Sequence, residues 1–361
     1  MRRFKLLLGF IILTVVTNKI YSQQLRVELP GTEVLKFTSV IDSQQYILHI
    51  NLPENYGKTN KRYPVLYITD GQWFFPSMYV GYGGQHYDGF LPDLILVGIT
   101  WPDNYADSRG RDFTPNRVEG MPGSGNAGPF LSVIKNEVIK LIDSGYRTDQ
   151  GDRALYGTSL GGLFALYTLF HEPTLFNRYI IISPALQWDN EILFKYEKSF
   201  AEKNRALNAK IFISYGEYEE PFSGDGFNRF VTQLKSRKYK GLEMESMKVA
   251  RMGHSGSGTV GGIIGLQHVY SKPALKLDPT LLNQYTGSYL MDNESFSITR
   301  SQDNLTLQNG TVKFKLFAEA PGTFYVKGLD GKIQFKKDDK GTVTGYDLIR
   351  SDTTLFVKKV K

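Results

Sequence analysis

Gly157-Thr158-Ser159-Leu160-Gly161 is a G-x-S-x-G pentapeptide whose flanks decide the fold. Before it, Arg153-Ala154-Leu155-Tyr156 is a short β-prone run. After it, Gly162-Leu163-Phe164-Ala165-Leu166-Tyr167-Thr168-Leu169-Phe170 reads as an apolar helix. A serine between strand and helix sits on a turn so sharp that its hydroxyl is pushed clear of the backbone, above the sheet. Glycines flank such a turn because a Cβ there would strike the neighbouring strand and helix. In this context Ser159 is a candidate nucleophile; the alternative is an ordinary turn serine.

Reading outward, Pro64-Val65-Leu66-Tyr67-Ile68-Thr69-Asp70 is a buried strand stopped by Gly71. Leu94–Ile99, Tyr179–Ile182 and Ile211–Tyr215 repeat the pattern. Strands apolar on both faces imply a parallel sheet covered by helices. Leu25–Leu29, Glu33–Thr38 and Gln45–Asn51 read as opening strands. Leu131, Ile134, Val138, Leu141 and Ile142 form one helical stripe; Phe227, Phe230, Val231 and Leu234 form another. The alternation predicts a three-layer α/β sandwich with a mostly parallel sheet over residues 23–272. Trp101 to Gly128 is polar and glycine-rich, and is expected to be a loop over the ligand-binding edge. Beyond Lys272-Pro273 no helical stripe appears. Short alternating runs punctuated by glycines (Ser295–Thr299, Leu305–Leu307, Val312–Phe317, Phe324–Lys327, Lys332–Lys336, Thr354–Val357) predict a small antiparallel β domain, residues 278–361.

The 361 residues include no cysteine, which excludes disulfides, thiolate catalysis and cysteine zinc sites. Met1-Arg2-Arg3-Phe4-Lys5 is basic, Leu6 to Val16 is apolar, and Ile20-Tyr21-Ser22 offers a small residue before Gln23. The apolar run is too short to span a bilayer, so residues 1–22 read as a cleaved signal peptide rather than an anchor. The expected location is the periplasm or the exterior, without stable membrane insertion. Loss of Arg2, Arg3, Lys5 and Lys19 takes the formal charge from +7 to +7 − 4 = +3. So small a charge gives no reason to expect a nucleic-acid partner. The basic group Lys235 to Lys240 reads as the solvated end of a helix. There is no H-E-x-x-H and no G-x-x-x-x-G-K. Gly81-Tyr82-Gly83-Gly84 lacks a dinucleotide site's strand-before, helix-after context. Catalysis is expected to need no metal or cofactor.

A neutral hydroxyl needs a base within hydrogen-bond reach, an acid to orient that base, and donors for the developing oxyanion. In this fold the order is Ser, acid, His. His171, His254 and His268 follow Ser159. His171 lies about three turns down the helix that leaves the elbow. His268 sits in a helical stretch. His254 lies in Arg251-Met252-Gly253-His254-Ser255-Gly256, a glycine-flanked loop after the strand Leu242–Val249, and is the candidate base. The acid should follow the strand Ile211–Tyr215; Glu219 is preferred, Glu217 is second and Asp225 third. The oxyanion donors are expected from the backbone of Leu160 and from Gln72, in the turn Asp70-Gly71-Gln72-Trp73. Trp73 and Phe74 are candidates for the wall of an acyl or aromatic pocket, or for plain core.

Together these segments resemble the esterase D-like branch of the α/β-hydrolases, which includes siderophore, feruloyl and acetyl esterases and mycolyltransferases. The resemblance covers roughly residues 45–270. It rests on Tyr63–Tyr67 leading into Asp70-Gly71, on Gly157–Leu163, on Phe176 through Ile182-Ser183-Pro184, and on Gly253-His254. It implies Ser159 as nucleophile, His254 as base and Glu219 as acid; many members carry Asp at that place. Ser108-Arg109-Gly110-Arg111-Asp112-Phe113-Thr114-Pro115 is similar to an Arg-x-x-Asp-aromatic-Thr-Pro segment of siderophore esterases. There Arg109 would meet an anionic or catechol group, or else pin a loop through a carboxylate. Tyr285-Thr286-Gly287-Ser288-Tyr289 resembles part of a β domain appended to other serine hydrolases, absent from typical siderophore esterases. The expectation is a secreted serine esterase acting on a small-molecule or glycan ester: a carbohydrate-linked ester first, a siderophore trilactone second. Acyl transfer to an alcohol and a non-catalytic binding protein on the same fold are the alternatives.

Overall fold

The computed structural model describes residues 28–102, 105–271, 274–350 and 353–360. The leader read over residues 1–22 lies outside them. The chain from Gly31 onward is one compact unit. It holds an eight-stranded sheet of β1 (Thr32–Thr38), β2 (Gln45–Asn51), β3 (Tyr63–Ile68), β4 (Ile95–Thr100), β5 (Thr148–Thr158), β6 (Arg178–Ile182), β7 (Ala206–Gly216) and β8 (Lys240–Val249). The spatial order is β1-β2-β4-β3-β5-β6-β7-β8. β1 and β2 run antiparallel, and β4, β3, β5, β6, β7 and β8 run parallel to one another. The mostly parallel α/β sandwich is the expected one. Of the predicted opening strands, Glu28-Leu29 is not extended into a ladder and residues 25–27 lie outside the described ones.

Central strands are apolar throughout because helices cover both faces. On one face α3 (Ala127–Val133), a π turn, α4 (Ile139–Gly145), α5 (Leu160–His171), α6 (Trp188–Lys203) and α7 (Asp225–Arg237) pack on Val65, Tyr67, Val97, Leu155 and Ile181. On the other lie α1 (Gly71–Tyr87) and α8 (His254–Tyr270). α2 (Tyr105–Asp112) lies between β4 and α3 in the chain.

Three elements differ from expectation. The stretch after β3 is not a simple turn: α1 starts at Gly71, where a Cβ would lie 2.8 Å from the Gly98 carbonyl carbon. Residues 101–128 are partly helical, through α2 and the start of α3. His254 is not in a loop; it is the first residue of α8. Glycine hid α1 and the first half of α8; the stretch around His268, read as helical, is the end of α8. Gly258, Gly261, Gly262 and Gly265 form one face of α8, and Cβ atoms there would strike Phe74, Ser214, Met78 and Ile180. Absent side chains let α8 lie directly on the sheet and on α1. Hydrophobic periodicity does not register such a contact.

After the short α9 (Pro279–Asn283), β9 (Gly287–Met291), β10 (Glu294–Ser301), β11 (Asn304–Asn309), β12 (Val312–Ala320), β13 (Thr323–Val326), β14 (Lys332–Lys337), β15 (Val343–Ile349) and β16 (Thr354–Lys359) form an antiparallel barrel. β16 pairs with β9 and closes it, which removes exposed edges. Its interior stacks Tyr285, Phe324 and Phe335 with Tyr289 and Tyr346. Closure and strands β9 and β15 were not anticipated; within β15 position 345 is glycine, where a Cβ would fall 2.4 Å from the Val357 carbonyl oxygen. The barrel meets the sandwich at the end of α1. Gly328 N–H donates to Asp88 O at 2.8 Å, and Gly89, with φ +73, leaves room for Val326 O.

Candidate active site

Strands β3, β5 and β6 are neighbours, and each runs out into a non-glycine residue with positive φ: Asp70 (φ 55), Ser159 (φ 59) and Ser183 (φ 43). Each such conformation costs on the order of 1–3 kcal/mol and persists only where its surroundings enforce it. Ser159 N–H donates to Ile182 O at 3.0 Å. Ser159 O accepts from Leu163 N–H at 2.9 Å and Ala185 N–H at 3.1 Å. A Cβ on Gly157 would sit 2.1 Å from Gly161 O, and one on Gly161 would sit 2.5 Å from Thr69 Oγ1. The sharp strand-to-helix turn read from the pentapeptide is therefore present, and its central serine is half-buried.

Glu219 stands in the turn after β7 and is 1% exposed. Its Oε2 contacts His254 Nδ1 at 2.6 Å. A carboxylate only accepts, so Nδ1 carries the hydrogen and Nε2 is left with a free lone pair. Oε1 accepts from Gly216 N–H at 2.7 Å and Ser183 Oγ at 2.6 Å, and Ser257 Oγ lies 3.2 Å from it. Burial alone would raise the Glu219 carboxyl. Hydrogen bonds from His254, Ser183 and the Gly216 N–H outweigh it and hold the group below the usual glutamate value.

The other acids are engaged elsewhere: Glu217 Oε2 accepts from Arg251 N–H at 2.6 Å, and Asp225 pairs with Arg229 at 2.8 Å. His171 stacks on Tyr167 at 3.9 Å, and His268 pairs with Glu245 at 2.7 Å. His254 lies one turn before Gly258, where a Cβ would be 3.3 Å from Thr158 Cγ2, beside the elbow. Tyr156 in β5 donates its hydroxyl to Gly258 O at 2.8 Å. The elbow and the histidine-bearing helix end thus abut.

Gln72 and Leu160 sit in the first turns of α1 and α5, where backbone N–H groups have no intrahelical acceptor. The two helix starts converge: the Gly161 Cβ position is 3.5 Å from Asp70 Oδ2. The Gln72 Oε1 accepts from Thr100 Oγ1 at 2.6 Å. Arg109 Nε donates to Asp70 Oδ1 at 2.6 Å, and the guanidinium lies over the Trp73 ring at 5.2 Å and the Phe113 ring at 5.8 Å. Trp73 is 52% exposed, so it lines the surface and is not core. Burial lifts the Asp70 carboxyl to about 6 despite the facing Arg109 charge. The neighbouring Asp112 is structural: it accepts from Trp101 Nε1 at 2.9 Å and from Arg111 Nε at 2.6 Å.

Sequence reasoning gave no role to Ser183 or Ser257, whose hydroxyls surround Glu219. Nothing local marks them; they meet the acid across 36 and 38 positions of chain. Among the described residues no group of three or more His, Cys, Asp or Glu is placed to hold a metal ion.

A sharp serine turn at the carboxyl edge of a mostly parallel sheet, beside a helix that opens on a glutamate-held imidazole, defines an α/β-hydrolase. The family described as "Putative esterase" matches residues 41–241, and the chain belongs to that esterase family; it is a carboxylic-ester hydrolase. The barrel lies outside the matched segment. The chain is 27% identical over 246 residues to the ferri-bacillibactin esterase of Bacillus subtilis, a match covering 63% of this chain and 85% of that one. It is 28% identical over 211 residues to an endo-1,4-beta-xylanase/feruloyl esterase of Xylanibacter ruminicola, covering 56% of this chain and 27% of that one. The crystal structure of the BES protein from Bacillus cereus shares the fold, with a TM-score of 0.63 and 24% identity, over 70% of this chain and 99% of that one.

Proposed function

We propose that Ser159 is the nucleophile of this esterase, His254 its base and Glu219 the acid that orients the base. The reading is carried by the Glu219–His254 contact of 2.6 Å beside the strained serine turn. Ser159 Oγ attacks the ester carbonyl and its proton passes to His254 Nε2. The Leu160 and Gln72 N–H groups hold the oxyanion. The imidazolium returns the proton to the leaving alcohol, and water attacking the acyl-enzyme through the same base releases the acid. Replacement of Ser159 by alanine tests this; unchanged turnover of p-nitrophenyl acetate in a folded variant would overturn it.

For the substrate, the order reached from sequence is reversed, and a siderophore trilactone ester comes first. The ferri-bacillibactin esterase of B. subtilis supports this, as does Arg109, a cation held against the exposed Trp73 ring, where an anionic aromatic group could stack and pair. A carbohydrate-linked ester is the second reading, favoured by the feruloyl esterase relative. Comparing kcat/KM on a catechol trilactone, a feruloyl ester and an acetylated sugar separates them: the trilactone is expected to lead, and preference for either sugar ester would reverse the order. We read residues 278–361 as a small β-rich domain. Residues 1–22 are read as an export leader, which N-terminal sequencing of the mature protein would test. Among the described residues no helix is long and apolar enough to cross a membrane.

A further inference from the structure

We infer that Ser183, backed by Ser257, is a positioning residue for the acid: its hydroxyl holds Glu219 Oε1 so that Oε2 faces His254 and the carboxyl stays ionised. The inference rests on the reading of Glu219 as the acid. Each serine has one hydroxyl hydrogen. The 2.6 Å contact assigns Ser183's hydrogen to Glu219 Oε1. Ser257 then has three acceptors within reach: Ser183 Oγ at 2.9 Å, His254 O at 2.8 Å and Glu219 Oε1 at 3.2 Å. Any choice ties the acid's surroundings together, and one choice ties them to the backbone of the base.

Both serines are buried, at 5% and 0% exposure, where an unbonded hydroxyl would be costly. Ser183 also occupies a backbone conformation (φ 43) that glycine adopts more cheaply. What serine adds at that point is the hydroxyl. The Ser183 backbone is anchored by its N–H to Ser214 O at 2.6 Å, so the side chain is aimed from a fixed base. The preceding residue, Ile182, accepts the Ser159 N–H. The end of β6 and the residue that follows it therefore touch the nucleophile through the backbone of Ile182 and the acid through the side chain of Ser183. A donor to a carboxylate favours its charged form, so loss of the hydroxyl raises the Glu219 carboxyl toward its ordinary value.

The test compares Ser183→Ala, Ser257→Ala, Glu219→Ala and the double variant Ser183→Ala/Glu219→Ala on p-nitrophenyl acetate, with thermal melting to confirm folding. Ser183→Gly, which suits the left-handed backbone, replaces the alanine variant if that does not fold. Ser183→Ala is expected to lower kcat about 10–100-fold with KM little changed, and to move the acid limb of kcat/KM to higher pH. Ser257→Ala is expected to cost less, about 3–10-fold. With Glu219 already removed, the Ser183 substitution should cost less than about 2-fold, because no carboxylate remains to be held. The inference is overturned if the folded Ser183 variant keeps its kcat and acid limb, or if it loses as much activity without Glu219 as with it. The triad reading fails separately, if Glu219→Ala or Ser159→Ala leaves turnover unchanged.

Discussion

The carboxyl edge of the sheet and the interior of the barrel are both buried, yet they are built from opposite materials. The edge buries Asp70, Ser183, Glu219 and Ser257, and bends three non-glycine residues into positive φ. The barrel interior buries aromatic rings, and none of the buried polar or charged residues among those described lies in it. Its own positive-φ residues, Asp292 and Gln302, sit in tight turns between strands, where that backbone is the favoured one. Strain and buried charge weaken a fold, so their concentration at one edge marks a place built for chemistry. The barrel has the composition of a place built for stability. That contrast can be attacked from either side.

The largest expected effect is at the edge. Ser159→Ala should lower kcat by about three to six orders of magnitude while leaving the melting temperature nearly unchanged, checked by ester turnover and calorimetry. Glu219→Gln should cost about 100–10,000-fold in kcat, because it keeps the shape but loses the charge that orients His254. The barrel should respond in the reverse sense. Phe335 lies 4.4 Å from Tyr285 and 5.7 Å from Phe324 and Tyr346 in ring-centroid distance. Phe335→Ala should destabilise the protein by about 3–5 kcal/mol and leave kcat on a small activated ester within about 2-fold. A large loss of kcat with intact folding would mean that the barrel takes part in the site.

The smallest effect is one of pH. Asp70 has a folded carboxyl near 6, above its ordinary value of 3.8. Between those values the native state holds more protons than the unfolded one, so its contribution to stability falls as pH rises from about 4 to 6. Glu219 has the opposite sign: its contribution is present above the ordinary glutamate value and is lost as pH falls below it through the depressed folded one. Asp70→Asn should therefore flatten the pH 4–6 part of the stability curve, measured by denaturant titration. An unchanged slope would show that Asp70 does not carry it.

Much of this was legible in sequence, for identifiable reasons. Strands such as Val65–Ile68 announce themselves because both faces are buried, and the serine turn because its glycines are sterically obligatory. Chain order and strand ends pointed to His254 as base and narrowed the acid to Glu219, Glu217 or Asp225; the contact with His254 singles out Glu219 only in the folded chain. α1 and the first turns of α8 were not legible, although the stretch around His268 at the end of α8 read as helical. They pack glycine against side chain, Gly81 against Ile263 and Gly262 against Met78, so the residues that make the contact read as helix breakers. Pro76 inside α1 deepened the disguise. Ser183 and Ser257 were invisible for another reason: a hydroxyl's partner is fixed by tertiary approach, and no local pattern encodes it. Barrel closure depends on β16 reaching β9, a pairing between the last and first strands that individual runs do not declare.

The central claim is that the Glu219-held imidazole of His254 makes one hydroxyl, that of Ser159, reactive. The direct measurement is mass-spectrometric mapping of the covalent adduct formed with a fluorophosphonate, in the wild type and in His254→Ala. The account predicts a single adduct on Ser159 that forms rapidly in the wild type and at least about a thousandfold more slowly in the variant. An adduct on another residue, or equal labelling rates in the two proteins, would contradict it.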